Sequence, residues 1–178
     1  VFNNVVLIGF SGSGKSSVGR LLAQRLDWEF IDTDARIVER FHMPIAQLFR
    51  EQGEAAFRRA ETEAVFDACQ GSQKVISVGG GAPVAAVNRE RICRGNFVVR
   101  LEASPEALFE RLWAQTDTED RPMLAADDPL ERIRGLLAQR ADAYGVAHLS
   151  IDTEDRTPVE VAEAILAELN QHVSAGNR

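Results

Sequence analysis

Apolar residues along this chain come in two alternating rhythms. Short runs that stop at glycine or at an acid read as strands: VVLIG (Val5 to Gly9), continuous enough to be buried on both faces, then EFID (Glu29 to Asp32), VISVG (Val75 to Gly79), FVVRLEA (Phe97 to Ala103) and HLSID (His148 to Asp152). Between them apolar positions recur at helical spacing, as Val18, Leu21, Leu22 and Leu26 do within 15–26. The same spacing predicts helices over 34–51, in two pieces broken near Pro44, and over 54–70, 104–115 and 128–144. A last amphipathic helix runs from Pro158 to about His172, and the polar tail 174–178 is expected to be disordered.

Strands alternating with helices require right-handed crossovers and a parallel sheet covered on both sides, which is an α/β sandwich. Such sheets bind ligands beyond the carboxyl ends of their strands. One domain, residues 1–173, accounts for the pattern, and a chain of 178 residues can bury roughly 70% of its unfolded surface without covalent staples. The polar stretch TDTEDRPMLAAD, 116–127, is too long for a simple connector between two helices and reads as a mobile lid.

Charge narrows the function classes. A net charge of -7 argues against a nucleic-acid or membrane-surface binder, because both need a basic field. Residues 1–100 nevertheless hold 13 basic against 11 acidic side chains, so cations gather with the N-terminal motifs. Only Lys15 and Lys74 among the 20 cations are lysines, which marks Lys15 as a compact point charge in an arginine-rich chain. No apolar run approaches a membrane span and no signal peptide is visible. Cys69 and Cys93 lack metal-ligand spacing and read as reduced thiols, so a cytoplasmic monomer is the expectation.

The stretch GFSGSGKS, Gly9 to Ser16, fits G-x-x-x-x-G-K-[ST] between a strand and a helix. Successive amides of Gly12, Ser13, Gly14, Lys15, Ser16 and Ser17 would cradle phosphates at the positive end of the helix dipole. Lys15 can reach the β and γ phosphates of ATP, and the Ser16 hydroxyl can ligate Mg²⁺. A dinucleotide loop is the nearest rival, but G-x-G-x-x-G started at Gly12 meets Ser17 where its third glycine belongs.

Phosphate-loop enzymes usually add a strand-end aspartate to the magnesium site. VISVGGG ends in glycines, so Asp32 becomes the candidate metal carboxylate. Asp34 could accept the proton of an attacking hydroxyl, or else cap a helix starting at Ala35. Arg58 and Arg59 are adjacent on a helix; one can face a crevice while the other meets solvent or Glu63, or both can be structural. Gly79, Gly80 and Gly81 would let a ligand lie against bare backbone, or form a loose turn. Arg121 reads as a lid cation or as surface charge, and Arg140, one helical turn before Tyr144, is equally open.

Taken together, GFSGSGKSSVGRLLAQRL, FIDTDARI, IAQLFREQGEAAFRRAE, VISVGGG, RPML and the Arg and Tyr of RADAYGVAH resemble shikimate kinase from Val5 to about Leu169. The resemblance implies ATP- and Mg²⁺-dependent phosphorylation of the 3-hydroxyl of shikimate, on the way to chorismate and the aromatic amino acids. It implies a three-layer sandwich around five parallel strands in order 2-3-1-4-5, with a substrate-binding helical region at about 34–61. Lys15, Ser16 and Asp32 would serve ATP and Mg²⁺. Asp34, Arg58, Gly79 to Gly81 and Arg140 would form the shikimate site, with Arg121 on the lid at the phosphates and Arg156 near the adenine. Two departures stand out: methionine in RPML, where leucine is common, and His148, where aspartate is frequent. A gluconate-type or nucleoside-monophosphate kinase, or a noncatalytic binding relative, are the alternative readings.

Overall fold

The computed structural model describes residues 2–114 and 128–175, with side chains to residue 172. In chain order the elements are β1 (Val5–Ile8), α1 (Lys15–Leu26), β2 (Glu29–Asp32), α2 (Thr33–Phe41), α3 (Ile45–Ala68), β3 (Lys74–Ser77) and a 3₁₀ turn (Ala82–Val84). They continue with α4 (Ala86–Cys93), β4 (Phe97–Glu102), α5 (Pro105–Ala114), α6 (Pro129–Tyr144), β5 (Leu149–Asp152) and α7 (Pro158–Ala175). The five strands form one parallel sheet in the order β2-β3-β1-β4-β5, with Val5 opposite both Val75 and Phe97.

The continuous apolar run of β1 is explained by burial on both faces, whereas the edge strands β2 and β5 are partly exposed. In β1, Val5 and Leu7 face one way and pack with Val18 and Leu22 of α1 and with Val161, Ile165 and Leu169 of α7. Val6 and Ile8 face the other way, into a layer holding Val65 of α3, Ile92 of α4 and Tyr144 of α6. This alternation with period two makes the middle strand apolar at every position.

Four boundaries differ from the sequence expectation, each for a local reason. Helix α2 starts at Thr33, because Asp32 is its N-cap. The break near Pro44 falls where expected, and the gap expected between residues 51 and 54 is a kink within α3 at Gly53, whose φ of 82° and ψ of 168° lie outside helical space. Helix α4 was not anticipated: it buries Asn88 and Ile92, so its sequence shows no apolar stripe. Helix α7 extends to Ala175, into the expected tail. The loop 116–127 expected to be a lid lies outside the described residues, as do 176–178.

His148 precedes β5 and serves the sheet. Its Nδ1 accepts the backbone N–H of Val98 at 3.0 Å, and its own N–H donates to the Val98 carbonyl at 2.8 Å. The imidazole thus does what a carboxylate at this position could do, accepting a strand N–H, and it stacks on Phe97 besides. Both cysteines are free thiols, and burial pushes Cys69 up to about 11. Among the described residues, no helix is long and apolar enough to cross a membrane.

Candidate active site

The sheet's carboxyl edge opens into a cleft of about 490 Å³ lined by Ser11 to Val18, Asp32, Asp34, Ser77, Gly80, Arg111, Thr153 and Arg156. The phosphate-loop residues, both aspartates and Arg156 therefore line one cleft. Gly14 occupies the N-cap position of α1 at φ 92°, a left-handed conformation suited to glycine, and supplies no side-chain cap. The first amides of α1 are thus left to an anion. Lys15 is buried beneath them, its Nζ donating to the carbonyls of Gly9 at 2.8 Å and Phe10 at 2.9 Å. Burial lowers its pKa to about 8, with Arg140 adding to the effect and Asp34 and Asp32 opposing it.

The two aspartates have separate tasks. Asp32 Oδ1 accepts from the backbone N–H groups of Asp34 at 3.1 Å and Ala35 at 3.2 Å, while Oδ2 accepts from the Ser16 hydroxyl at 2.6 Å. Capping therefore belongs to Asp32, and the capping alternative for Asp34 falls away. Asp34 sits in the first turn of α2 with Oδ1 buried and without a hydrogen-bond partner. Burial raises its pKa to about 6; the charges of Asp32 and Glu61 push the same way, and Lys15 and Arg58 pull against them.

Beyond Asp34 the triple glycine forms a wall with no room for side chains. A Cβ on Gly79 would stand 2.6 Å from Asp34 Oδ1, one on Gly80 would stand 3.5 Å from an Arg140 guanidinium nitrogen, and one on Gly81 would stand 2.8 Å from an Arg58 nitrogen. None of the three has a positive φ, so what each supplies is space. The turn is pinned by the Thr33 hydroxyl, which accepts the Gly79 N–H at 3.1 Å, and by Tyr144, whose hydroxyl donates to the Gly80 carbonyl at 2.6 Å.

Arg58 donates to Glu61 at 2.8 Å and reaches Glu54 at 3.4 Å, while Arg140 lies over the Phe10 ring at 5.2 Å. Glu61 is only 2% exposed, and burial pushes its carboxyl up against the pull of Arg58. Sequence reasoning missed it, although its spacing of three from Arg58 on a helix was the available signal. Ser77, Arg111 and Thr153 were missed as well. Ser77 is buried at the end of β3, in register with Asp32, where many phosphate-loop proteins place an acid. Arg111 donates to the Thr153 hydroxyl at 2.9 Å and to its carbonyl at 2.7 Å. Glu63 pairs with Arg40 of α2, and Arg121 lies outside the described residues.

The donor set suits a hard cation. Ser16 Oγ and Asp32 Oδ2 are both oxygens and meet at the phosphate loop, and Mg²⁺ on nucleotides commonly takes one or two protein oxygens, the rest being phosphate and water. Among the described residues, no cluster of three or more His, Cys, Asp or Glu forms an all-protein metal site.

The model of the family described as shikimate kinase matches residues 11–170. A shikimate kinase of Symbiobacterium thermophilum is 41% identical over 97% of this chain and 99% of its own length. One from Moorella thermoacetica is 43% identical over 91% of each. Among solved structures, shikimate kinase from Acinetobacter baumannii in complex with shikimate superposes with a TM-score of 0.90 at 32% identity, covering 97% of this chain and 95% of that one.

Proposed function

We infer the working of the site from one premise: the chain belongs to the shikimate kinase family and has its activity, phosphoryl transfer from ATP to shikimate in aromatic amino acid biosynthesis. On our reading the acceptor is the 3-hydroxyl, and the product is shikimate 3-phosphate. The observation that carries this reading is that the Asp34 carboxylate lines the phosphate-loop cleft, packed against Gly79 with Lys15 and Arg58 among its charged neighbours.

In this account ATP lies with its phosphates on the amides of Gly12 to Ser17 and its base toward Arg156. Lys15 bears on the β and γ phosphates, exchanging its bonds to the Gly9 and Phe10 carbonyls for phosphate oxygens. Ser16 Oγ and Asp32 Oδ2 would hold Mg²⁺, which supplies charge neutralisation at the phosphates. Arg58 and Arg140 take the shikimate carboxylate as charge-assisted partners, with Glu61 fixing Arg58. Gly79, Gly80 and Gly81 let Asp34, Arg140 and Arg58 close against bare backbone around the acceptor.

Asp34 accepts the hydrogen bond of the attacking hydroxyl, aligns it and takes its proton as the oxygen bonds the γ-phosphorus, while the bond from that phosphorus to the bridging oxygen breaks and ADP leaves, through a loose transition state. Positioning and charge therefore account for most of the catalysis. Arg121 is assigned to the phosphates. Shikimate-dependent ADP formation, compared between the native chain and Asp34→Asn, tests the assignment: loss of turnover with retained ATP binding supports it, and undiminished turnover refutes it.

A further inference from the structure

Tyr144 is the only tyrosine of the chain and is 1% exposed at the end of α6. Its ring lies in the same apolar layer as Val78 and Leu137, and packing alone would be met equally well by phenylalanine. The hydroxyl has a more specific setting. It donates to the Gly80 carbonyl at 2.6 Å, and the Arg140 guanidinium, one helical turn earlier, lies close enough to act on it electrostatically. Burial raises the phenol's pKa, so it stays protonated and remains a donor toward Gly80.

Gly80 is where three parts of the site converge. A Cβ built on it would lie 3.2 Å from the Ser11 amide of the phosphate loop, 3.3 Å from the Gly9 carbonyl and 3.5 Å from Arg140. The next residue, Gly81, abuts Arg58. A single hydroxyl thus links Arg140 to the backbone of the wall against which Arg58 rests.

We propose that Tyr144 is a positioning residue for acid recognition: its hydroxyl fixes the Arg140 guanidinium and the Gly80 peptide relative to each other, and so sets the spacing of the two arginines that grip the substrate carboxylate. The inference rests on the acid-site reading of Arg58 and Arg140 given above. The hydroxyl bonds the Gly80 carbonyl and lies within the electrostatic reach of Arg140, so it influences both neighbours. Its removal leaves the Gly80 carbonyl without that donor, beside Arg140, while changing the ring volume little.

The test is Tyr144→Phe in the full chain, assayed for KM of shikimate, KM of ATP and kcat, with a thermal melt alongside. The expected result is a rise in shikimate KM of roughly tenfold, the scale of a lost hydrogen bond to a charged group, with the KM of ATP unchanged. Tyr144→Phe should add little further loss in an Arg140→Ala background, and the loss should disappear for a shikimate analogue whose carboxylate is reduced to an alcohol. Unchanged shikimate KM in Tyr144→Phe, when Arg140→Ala raises it, overturns the proposal and leaves the acid site standing. Parallel rises in both KM values, full additivity with Arg140→Ala, or collapse of the fold would make the hydroxyl merely structural and also overturn it. No effect of Arg140→Ala on shikimate KM would remove the acid-site reading itself, and the proposal with it.

Discussion

Asp32 caps the helix that carries Asp34: its Oδ1 accepts the Asp34 backbone N–H at 3.1 Å, while its Oδ2 accepts from Ser16 at 2.6 Å. One carboxylate thus orients the other and faces the phosphate loop. Asp32→Asn retains a capping oxygen but loses the anionic metal ligand. Its melting temperature should stay near that of the native chain, while the Mg²⁺ needed for half-maximal ADP formation rises at least about tenfold, the usual scale for disturbing a metal's immediate surroundings. Asp32→Ala should also lose ~1 kcal/mol of stability as the cap goes. A magnesium titration beside a melt separates the two roles.

Asp34 should weaken the fold it serves. Its pKa is raised in the folded state from 3.8 to about 6, so the stability linked to its protonated form is full below pH 3.8 and is lost as pH rises through 6. The difference corresponds to ~3 kcal/mol of destabilisation at neutral pH. Asp34→Asn should therefore melt higher than the native chain at pH 7.5 and show little gain at pH 4, while turnover drops by ~10² to 10⁴. Melts at the two pH values, set against kcat, check both halves of this trade.

The pH dependence of kcat/KM for shikimate should be bell-shaped. The rising limb falls near pH 6, where Asp34 becomes an acceptor, and the falling limb near pH 8, where Lys15 loses its ammonium charge. In Asp34→Asn the acidic limb should vanish from whatever activity remains, and a steady-state profile from pH 5 to about 9 would reveal it.

Alanine at two of the glycines should have distinguishable effects. Gly79→Ala drives a methyl to within 2.6 Å of Asp34 Oδ1 and should mainly depress kcat. Gly81→Ala presses on the Arg58 guanidinium at 2.8 Å, the far end of a flexible side chain, and should mainly raise shikimate KM. Neither should change ATP affinity, which nucleotide titration by calorimetry would establish.

Much of the architecture was legible because buried strands and a phosphate loop are local signals. VVLIG followed by GFSGSGKS identifies a strand, a turn and a helix start without reference to anything distant. Which aspartate caps α2 was not legible, since a shift of two residues in the helix start exchanges their roles and the turn chemistry of Asp-Thr-Asp fits either. The three glycines announced an opening, but the groups needing the room, Asp34, Arg140 and Arg58, come from three helices far apart in sequence. Glu61 and the contact made by Tyr144 were hidden for a related reason. Burial of a carboxylate within the charged run RRAETE, and the reach of a phenol on α6 to the loop after β3, exist only once the layers are packed. Helix α4 was invisible because Asn88 takes part of its inward face.

In the proposed division of labour Asp34 handles the acceptor hydroxyl of shikimate while Lys15 and Asp32 handle the nucleotide side. The most direct measurement is coupled ADP release from the native chain and from Asp34→Asn with shikimate, gluconate or AMP as acceptor, with ATP binding to both proteins measured in parallel. The account predicts shikimate-dependent turnover in the native chain, little with gluconate or AMP, and a fall of at least about a hundredfold in Asp34→Asn with ATP affinity retained. Near-native turnover by Asp34→Asn, or equal turnover with gluconate, would contradict it.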